Sequence, residues 1–216
     1  MSIELQAEGL SKTFNRRTIF SGISFTLRVG ESFAIAGRNG SGKSTLLKIL
    51  SGVLSPTRGR SILRIENREV PAGSVYAHLG FVSPYLQLYD EFTGLENLEM
   101  FTKIRGRDIP RNLIEGLLDR VNLSQRSRDP VRTYSSGMKQ RLKYAFALLH
   151  TPPLLLLDEP TSNLDGEGIA TVYQLMREQS KRGILIIATN DAEDLQRIDR
   201  VLDLDTLAGE KGAGRR

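Results

Sequence analysis

The chain has 216 residues, of which 39% are hydrophobic and 25% are charged, and its formal net charge is +5. This balance is typical of a folded globular protein and excludes a chain that is disordered throughout. No apolar run approaches the roughly 20 residues that cross a lipid bilayer. Cysteine is absent, which excludes disulfides and thiolate metal sites.

The first residues of the chain bear on whether it is secreted, and its positive charge bears on which partners it binds. The chain begins without a basic segment followed by an apolar one, so we expect no secretory leader. Lys211, Arg215 and Arg216 carry part of the positive excess, in a glycine-containing tail that we expect to be disordered over residues 206–216. The remaining positive charge indicates either a mildly basic surface or a surface near anionic lipid headgroups. We expect no nucleic-acid partner.

The predicted elements begin as strands, continue as a helical block and end as alternating strands and helices. Strands are predicted at residues 3–8, 23–28, 32–36, 60–65, 79–82, 154–157, 184–188 and 200–204. Apolar residues recur at three- and four-residue steps over residues 94–150, which predicts helices, and a further helix is predicted near residues 166–182. The order indicates an α/β core of parallel strands, residues 1–83 and 151–205, with a helical subdomain inserted at residues 84–150.

A glycine-rich segment follows the predicted strand at residues 32–36. It reads Gly37, Arg38, Asn39, Gly40, Ser41, Gly42, Lys43, Ser44 and Thr45, which is the phosphate-binding pattern G-x-x-x-x-G-K-[ST]. The glycines let successive main-chain N–H groups face phosphate oxygens, the lysine adds a positive charge, and the serine hydroxyl can bind Mg²⁺. The alternative is a chance glycine-rich turn. The apolar strand before the loop and the apolar helix after it favour the phosphate site.

Two carboxylates follow the predicted strand at residues 154–157. Ligands gather at the carboxyl ends of parallel strands, so we expect Asp158 to hold Mg²⁺ and Glu159 to polarise the water that attacks a γ-phosphate. A strand that ends in two solvated acids is the plainer alternative. Because a phosphate loop precedes this strand, we favour a nucleoside triphosphate site. In that site Lys43 and Glu159 are catalytic, and Ser44 and Asp158 bind the metal.

Two further motifs give the chain a specific resemblance. Residues 134–141 read Tyr-Ser-Ser-Gly-Met-Lys-Gln-Arg, which resembles the signature motif of ATP-binding-cassette (ABC) ATPases, usually written L-S-G-G-Q. Residues 159–165, Glu-Pro-Thr-Ser-Asn-Leu-Asp, resemble the D-loop of that family, and Phe14 stands where the family has an aromatic residue that stacks on adenine. Residues 134–141 alone could be an ordinary capped helix. However, the motifs occur in the family's order, and the resemblance extends from about residue 3 to residue 205.

The resemblance implies a fold, ligands and protein partners. The implied fold is a P-loop NTPase (RecA-like) core with an antiparallel β subdomain and an inserted helical subdomain, and the implied ligands are ATP and Mg²⁺. Ser135 and Gly137 are expected at the ATP of a second cassette, in a homodimer or a heterodimer, and Asp165 is expected at the nucleotide as well. A transmembrane permease subunit is the other implied partner. Through it the chain would lie at the inner, cytoplasmic face of the cell membrane, in a transporter that resembles drug-export and haem-export types.

Two positions differ from the family pattern. A glutamine usually contacts Mg²⁺ and the attacking water where this chain has Ser83 and Pro84, and Gln87 follows later. A histidine usually contacts the γ-phosphate where this chain has Asn190, whose amide can donate a hydrogen bond but cannot become cationic. We favour a subfamily variation with ordinary hydrolysis, in which Asn190 contributes to catalysis. The alternatives are a slow, ATP-gated or regulatory nucleotide binder, or an ABC ATPase without a transport role.

Apolar and aromatic side chains are frequent in the loop region that begins at Ser83 and continues to Phe101. This region includes Tyr85, Leu86, Leu88, Tyr89 and Phe92. In the ABC family it forms a groove for a short cytoplasmic helix of the permease. Packing beneath the helical subdomain is the alternative, and both interpretations stay open.

Overall fold

The structure, a computed structural model, describes residues 2–106 and 108–209. Within these residues the strands are β1 (Ile3–Phe14), β2 (Arg17–Arg28), β3 (Ser32–Ala36), β4 (Arg58–Ile65), β5 (Arg68–Glu69), β6 (Leu79–Val82), β7 (Leu154–Asp158), β8 (Ile184–Ala188) and β9 (Arg200–Asp203). The helices are α1 (Lys43–Leu50), α2 (Gly94–Ile104), α3 (Arg111–Arg120), α4 (Ser136–Leu148), α5 (Gly166–Arg182), α6 (Ala192–Leu195) and α7 (Leu204–Gly209). No helix in the described ranges is both long and apolar enough to span a membrane.

Strands β2, β1, β4 and β5 form an antiparallel sheet in that order. A two-residue turn joins β1 to β2 at Asn15 and Arg16, whose φ angles are 45° and 67°. Turns with two positive φ angles match the twist of the flanking strands and close tight hairpins. The hairpin therefore continues to its tip, where Phe14 is paired with Arg17. It extends beyond the predicted strands at residues 3–8 and 23–28.

The second sheet has the strand order β6-β7-β8-β3-β9. β3 runs parallel to β8 and β9, and β7 runs parallel to β8. Every residue of β3, β7 and β8 is buried, as the continuous apolar runs of doubly covered strands require. Ala188 is paired with both Asp158 and Ile35. The loops that follow β3, β7 and β8 therefore leave the same edge of the sheet.

The two sheets and α1 share one hydrophobic core. The apolar face of α1, which includes Leu46, Leu47 and Leu50, is almost completely buried in it. Leu5 from β1 and Ile186 from β8 belong to the same core. Burying one such side chain stabilises the fold by about 1.5–3 kcal/mol. The helix that follows the glycine-rich loop is therefore firmly anchored.

The chain divides into two units. The first contains the chain up to Phe81, Pro153–Pro160 and the chain from Gln179 onward, and the second contains Val82–Pro152 and Thr161–Glu178. The second unit thus extends beyond the helical subdomain predicted at residues 84–150, because it also includes most of α5.

Side chains of the α3 region hold α5 in the second unit. Asn122 donates to Glu167 at 2.8 Å and to Thr171 at 3.2 Å, and Arg120 pairs with Glu178. These contacts join residues far apart in the chain, and local sequence patterns give no signal for them.

Two features order the start of α2. Thr93 and Glu96 form a capping box, in which each side chain accepts a hydrogen bond from the other residue's main-chain N–H. The Tyr134 hydroxyl donates to the Arg126 carbonyl at 2.6 Å. A Cβ at Gly94 would lie 2.6 Å from that hydroxyl oxygen, so glycine is required there.

The C-terminal part of the chain corrects one expectation. Disorder is expected from residue 206, but α7 runs to Gly209, and residues 210–216 lie outside the described residues. The physical reason is apolar anchoring, because Leu204 is buried and Leu207 packs against the core. The last predicted strand accordingly ends at Asp203, one residue earlier than expected.

Candidate functional site

The glycine-rich loop between β3 and α1 has the curled main chain that its sequence predicts. Gly37, Gly40 and Gly42 have φ angles of 138°, 82° and 108°, a region that strains residues with a side chain. A Cβ at Gly42 would lie 2.4 Å from Ile19 Cγ2, and one at Gly37 would lie 2.7 Å from Ser41 Oγ. Both the main-chain geometry and the neighbours therefore require glycine.

Lys43 lies inside this loop. Its side chain is 6% exposed, and its Nζ donates to the Gly37 carbonyl at 2.8 Å and lies 3.5 Å from Glu159 Oε1. The ammonium group is thus held between a loop carbonyl and the carboxylate after β7. A fixed cation beside main-chain N–H groups makes the loop suitable for binding an anion.

Ser44 and Asp158 join the two predicted phosphate motifs. The serine hydroxyl donates to Asp158 Oδ1 at 3.0 Å. Asp158 is 2% exposed, and its Oδ2 has no hydrogen-bond partner among the described residues. Burial raises the pKa of Asp158, while the Ser44 hydrogen bond and the Lys43 charge oppose that rise. A buried carboxylate oxygen without a partner is costly, and a cation would satisfy it.

Glu159 has an unusual main-chain conformation. Its φ angle is 52°, and its N–H donates to the Ala188 carbonyl at 2.8 Å. Strain of this kind in a residue with a side chain is common at functional sites. Burial raises the pKa of Glu159, the Lys43 charge lowers it, and the charges of Asp158 and Asp194 raise it further. A carboxylate with a raised pKa is a better acceptor of a proton from water.

Asn190 lies on the turn after β8, with its Nδ2 3.5 Å from Asn39 Oδ1 in the glycine-rich loop. Two residues that sequence reasoning missed fix this turn. Thr189 and Asp194 are both fully buried, and the threonine hydroxyl donates to Asp194 Oδ2 at 2.8 Å. Asp191 accepts main-chain hydrogen bonds at the start of α6. The predicted amide donor therefore lies at the rim of the loop on a rigid turn.

A third missed residue contacts the loop from α7. Asp205 Oδ2 accepts a hydrogen bond from the Arg38 main-chain N–H at 2.7 Å, and Oδ1 lies 3.4 Å from the Arg38 Nε. We expect the Arg38 N–H to face phosphate, but in the structure it donates to a carboxylate. The two residues are 167 positions apart, and no motif pointed to this contact.

Phe14 lies at the tip of the β1–β2 hairpin. Its ring is 43% exposed, and Lys12 Nζ lies 4.7 Å from the ring centroid. The same hairpin borders the glycine-rich loop, since Ile19 would meet a Cβ at Gly42. An exposed aromatic face at this position is suitable for stacking on a nucleobase.

The remaining predicted residues belong to the second unit and lie at two helix N-termini. Ser135 caps α4, because its Oγ accepts from the Met138 N–H at 3.2 Å. Asp165 caps α5 in the same way, by accepting from the Gly168 N–H at 2.8 Å. A Cβ at Gly137 would lie 3.2 Å from the carbonyl oxygen of Asn163. The signature-like segment and the D-loop-like segment therefore approach each other closely, with a helix N-terminus that suits an anion.

The loop after β6 is held by a lysine that sequence reasoning missed. Lys143 Nζ, on α4, donates to the Pro84 carbonyl at 3.2 Å and lies 3.4 Å from the Ser83 carbonyl. Burial lowers the pKa of Lys143. Ser83 is buried, whereas Pro84 and Gln87 are exposed. Contacts of the Lys143 side chain with two main-chain carbonyls thus fix the segment that holds Ser83 and Pro84.

Three aromatic side chains after this loop are exposed. Tyr85 is 74% exposed, Tyr89 is 58% exposed and Phe92 is 38% exposed. The ring centroids of Tyr89 and Phe92 are 5.6 Å apart. The two tyrosines are therefore not packed beneath the helical subdomain, which was one of the two open interpretations of this segment.

The chemistry of the donors fits a magnesium triphosphate. Ser44 and Asp158 supply a hydroxyl and a carboxylate oxygen, and Mg²⁺ in nucleotide sites usually takes one or two such protein ligands beside phosphates and waters. The unpartnered Asp158 Oδ2 is the observation that supports this fit. Lys43 and the loop N–H groups supply the positive environment that a triphosphate needs.

Comparisons with known proteins find ATP-binding proteins of ABC transporters. Residues 20–162 match the family model described as ABC transporter. The chain is 36% identical to the uncharacterized ABC transporter ATP-binding protein YcbN of Bacillus subtilis, over 84% of this chain and 59% of that protein. It is 36% identical to the lipoprotein-releasing system ATP-binding protein LolD of Xanthomonas euvesicatoria, over 93% of this chain and 88% of that protein. The chain thus spans about three fifths of the length of YcbN and most of LolD.

A solved structure confirms the fold class that the sequence predicts. The dimeric ATP-binding cassette MJ0796, bound to ADP and Pi in a post-hydrolysis state, matches with a TM-score of 0.81. The match covers 92% of this chain and 93% of that chain, at 24% sequence identity. At this identity the likeness concerns the fold alone.

Proposed function

Because the chain belongs to the ABC transporter family, we propose that it binds and hydrolyses ATP as the nucleotide-binding subunit of a membrane transporter. One observation carries the proposal for this chain's own residues. Ser44 Oγ and Asp158 Oδ1 are 3.0 Å apart, and the second oxygen of Asp158 is buried without a partner in the described residues. The two phosphate motifs thus converge at one point, beside the cationic head of Lys43.

In this proposal each residue has one task. The loop N–H groups other than that of Arg38 bind the phosphates together with Lys43, and Phe14 stacks on the adenine. Glu159 takes a proton from the attacking water, a role that its raised pKa supports. Asn190 donates a neutral hydrogen bond near the γ-phosphate. Ser44 and Asp158 hold Mg²⁺, which when bound neutralises charge on the phosphate oxygens.

A second cassette is the first proposed partner. Ser135 and Gly137, with the N-terminus of α4, would bind the phosphates of the ATP held by that cassette, and Asp165 of the D-loop-like segment would lie at the same interface. The dimeric state of the solved cassette supports this arrangement by analogy only. Light scattering of Glu159→Gln in Mg-ATP separates the two forms, because a doubled mass indicates a homodimer and an unchanged mass indicates a different partner cassette.

A permease is the second proposed partner, and it would hold the chain at the cytoplasmic face of the membrane. The exposed tyrosines at 85 and 89 support a docking surface on the second unit. Export is the direction we propose. The form of the signature-like segment resembles exporters, and the relative LolD is named for lipoprotein release.

Steady-state ATP hydrolysis by the purified chain, alone and with its permease, tests the proposal. We expect Glu159→Gln to lower the rate by at least about a hundredfold, the lower end of what a positioned general base contributes, while Mg-ATP still binds. Glu193→Gln removes an exposed carboxylate nearby on α6 and is the matched control, with unchanged hydrolysis expected.

Two results would contradict the proposal. One is a hydrolysis rate that Glu159→Gln leaves unchanged, which would overturn the role of Glu159 as the proton acceptor. The other is an unmodified chain that binds Mg-ATP but hydrolyses it no faster than the buffer does. The second result would replace the ATPase by an ATP-gated clamp, which is the alternative that Asn190 and the Ser83-Pro84 pair left open.

A further inference from the structure

The last described helix reaches the glycine-rich loop through one carboxylate. Asp205, in the first turn of α7, accepts from the Arg38 N–H at 2.7 Å and lies 3.4 Å from the Arg38 guanidinium. We propose that Asp205 is a positioning residue that holds the loop in its nucleotide-binding conformation. The inference rests on the proposed function, since it assumes that this loop binds ATP.

Only one of the two main-chain polar groups of Arg38, its carbonyl, has hydrogen-bond partners within the loop. Its carbonyl accepts from the Ser41 N–H at 3.1 Å and lies 3.5 Å from Lys43 Nζ. Its N–H has Asp205 as its partner, which comes from outside the loop. The carboxylate also lies close to the loop entry, because a Cβ at Gly37 would be 3.5 Å from Asp205 Oδ2. Asp205 therefore fixes the point at which the chain leaves β3 and begins to curl.

The turn that presents this carboxylate is itself anchored. Leu204 is 4% exposed and Leu207 packs against the core. The Asp205 N–H donates to Asp203 Oδ1 at 2.8 Å. The bond from the Arg38 N–H to the Asp205 carboxylate is charge-assisted, and such a bond is stronger than one between neutral groups. A loop that is already held in its binding conformation loses less freedom when ligand binds, so affinity rises.

The negative charge of Asp205 acts in the opposite direction, because ATP is an anion. The guanidinium of Arg38 offsets that charge, and the Asp205 side chain is 39% exposed, so water and salt screen it. We therefore expect the positioning effect to exceed the repulsion. Asp205→Asn separates the two effects, since its amide oxygen can still accept from the Arg38 N–H but carries no charge.

The first test is the affinity of the full chain for Mg-ATP, measured by calorimetry. We expect Asp205→Ala to weaken binding on the order of tenfold, the effect of losing one charge-assisted hydrogen bond. Asp205→Asn should stay within about threefold of the unmodified chain, because it keeps the acceptor. Thr206→Ala changes the next residue of α7, which is exposed and whose hydroxyl donates to the Asp203 carbonyl, and it should leave the affinity unchanged.

The second test needs no nucleotide. Hydrogen exchange of the Arg38 amide should be faster in Asp205→Ala than in the unmodified chain and in Asp205→Asn, at temperatures where all three are folded. A role in overall stability alone would lower the unfolding temperature of Asp205→Ala without selective loss of protection at Arg38.

The outcomes separate this inference from the proposed function. Failure of the unmodified chain to bind Mg-ATP would overturn the proposed function and this inference with it. If the unmodified chain binds but Asp205→Ala binds equally well or more tightly, only the positioning role is wrong. Unchanged protection of the Arg38 amide in Asp205→Ala would also overturn it.

Discussion

Glycine at three positions determines the shape of the phosphate loop, and the structure gives different reasons at different positions. Gly40 has a φ angle of 82° with open space where a Cβ would lie. Gly42 has a φ angle of 108°, and a Cβ there would lie 2.4 Å from Ile19 Cγ2. Alanine at position 40 would add only main-chain strain, whereas alanine at position 42 would add strain and a clash with β2.

The pair Gly40→Ala and Gly42→Ala tests this difference. Left-handed main chain costs a residue with a side chain about 1–2 kcal/mol, and overpacking adds about 1–3 kcal/mol. We expect Gly42→Ala to lower the free energy of unfolding by clearly more than Gly40→Ala, as measured by urea denaturation without nucleotide. Equal losses in the two variants would show that the contact with Ile19 does not constrain the loop.

At the level of elements, the segment after β6 carries the proposed permease surface. The Lys143 side chain donates to the Pro84 carbonyl and holds one end of this segment, and the capping box of Thr93 and Glu96 holds the other end at the start of α2. Between these points Tyr85 and Tyr89 are largely exposed. Two exposed aromatic side chains on a segment held at both ends are suitable for docking an apolar helix.

Substitution of the two tyrosines tests this surface. We expect Tyr85→Glu with Tyr89→Glu to abolish co-purification with the permease from detergent while Mg-ATP binding stays unchanged, because a charge opposes burial of the interface. Leu113→Glu is the matched control, since Leu113 is 57% exposed on α3 in the same unit. A complex that survives the double substitution would show that the permease docks elsewhere.

The sequence predicts those strands and helices that have a clear local pattern of apolar residues, and it misses those that depend on tertiary contacts. The strands β3 and β8 were predicted at their observed bounds because both are continuous apolar runs, and β6 was predicted for the same reason. The polar continuation of β1 to Phe14 was missed, because Lys12 and Thr13 lack a clear alternation. The helix α7 was missed because Leu204 and Leu207 are anchored by tertiary contacts alone.

In the candidate site, too, local motifs are predicted from the sequence, whereas contacts between distant residues are not. The motif predicted the loop and the convergence of Ser44 with Asp158, which lie within hydrogen-bond distance, although their metal ligation stays a prediction. The contacts of Asp205 with Arg38 and of Lys143 with the loop after β6 join distant residues. A single sequence carries no local signal for such pairs, so only the structure reveals them.

For the whole molecule, the fold is that of the ABC family, and the proposed chemistry depends on individual side chains of this chain. The antiparallel sheet, the parallel sheet and the helical unit agree with an ATP-binding cassette. Burial raises the pKa values of both Asp158 and Glu159, so these two carboxylates lie in a partly desolvated site. We propose that the loop and the acidic end of β7 bind one magnesium nucleotide together.

A crystal structure of Glu159→Gln with Mg-ATP tests that claim most directly. We expect the triphosphate in the loop formed by residues 37–45, with Mg²⁺ in contact with Ser44 Oγ and with Asp158 or a water bound to it. A triphosphate located elsewhere, or an ion in contact with neither of those two residues, would show that the loop and the end of β7 do not form one nucleotide site.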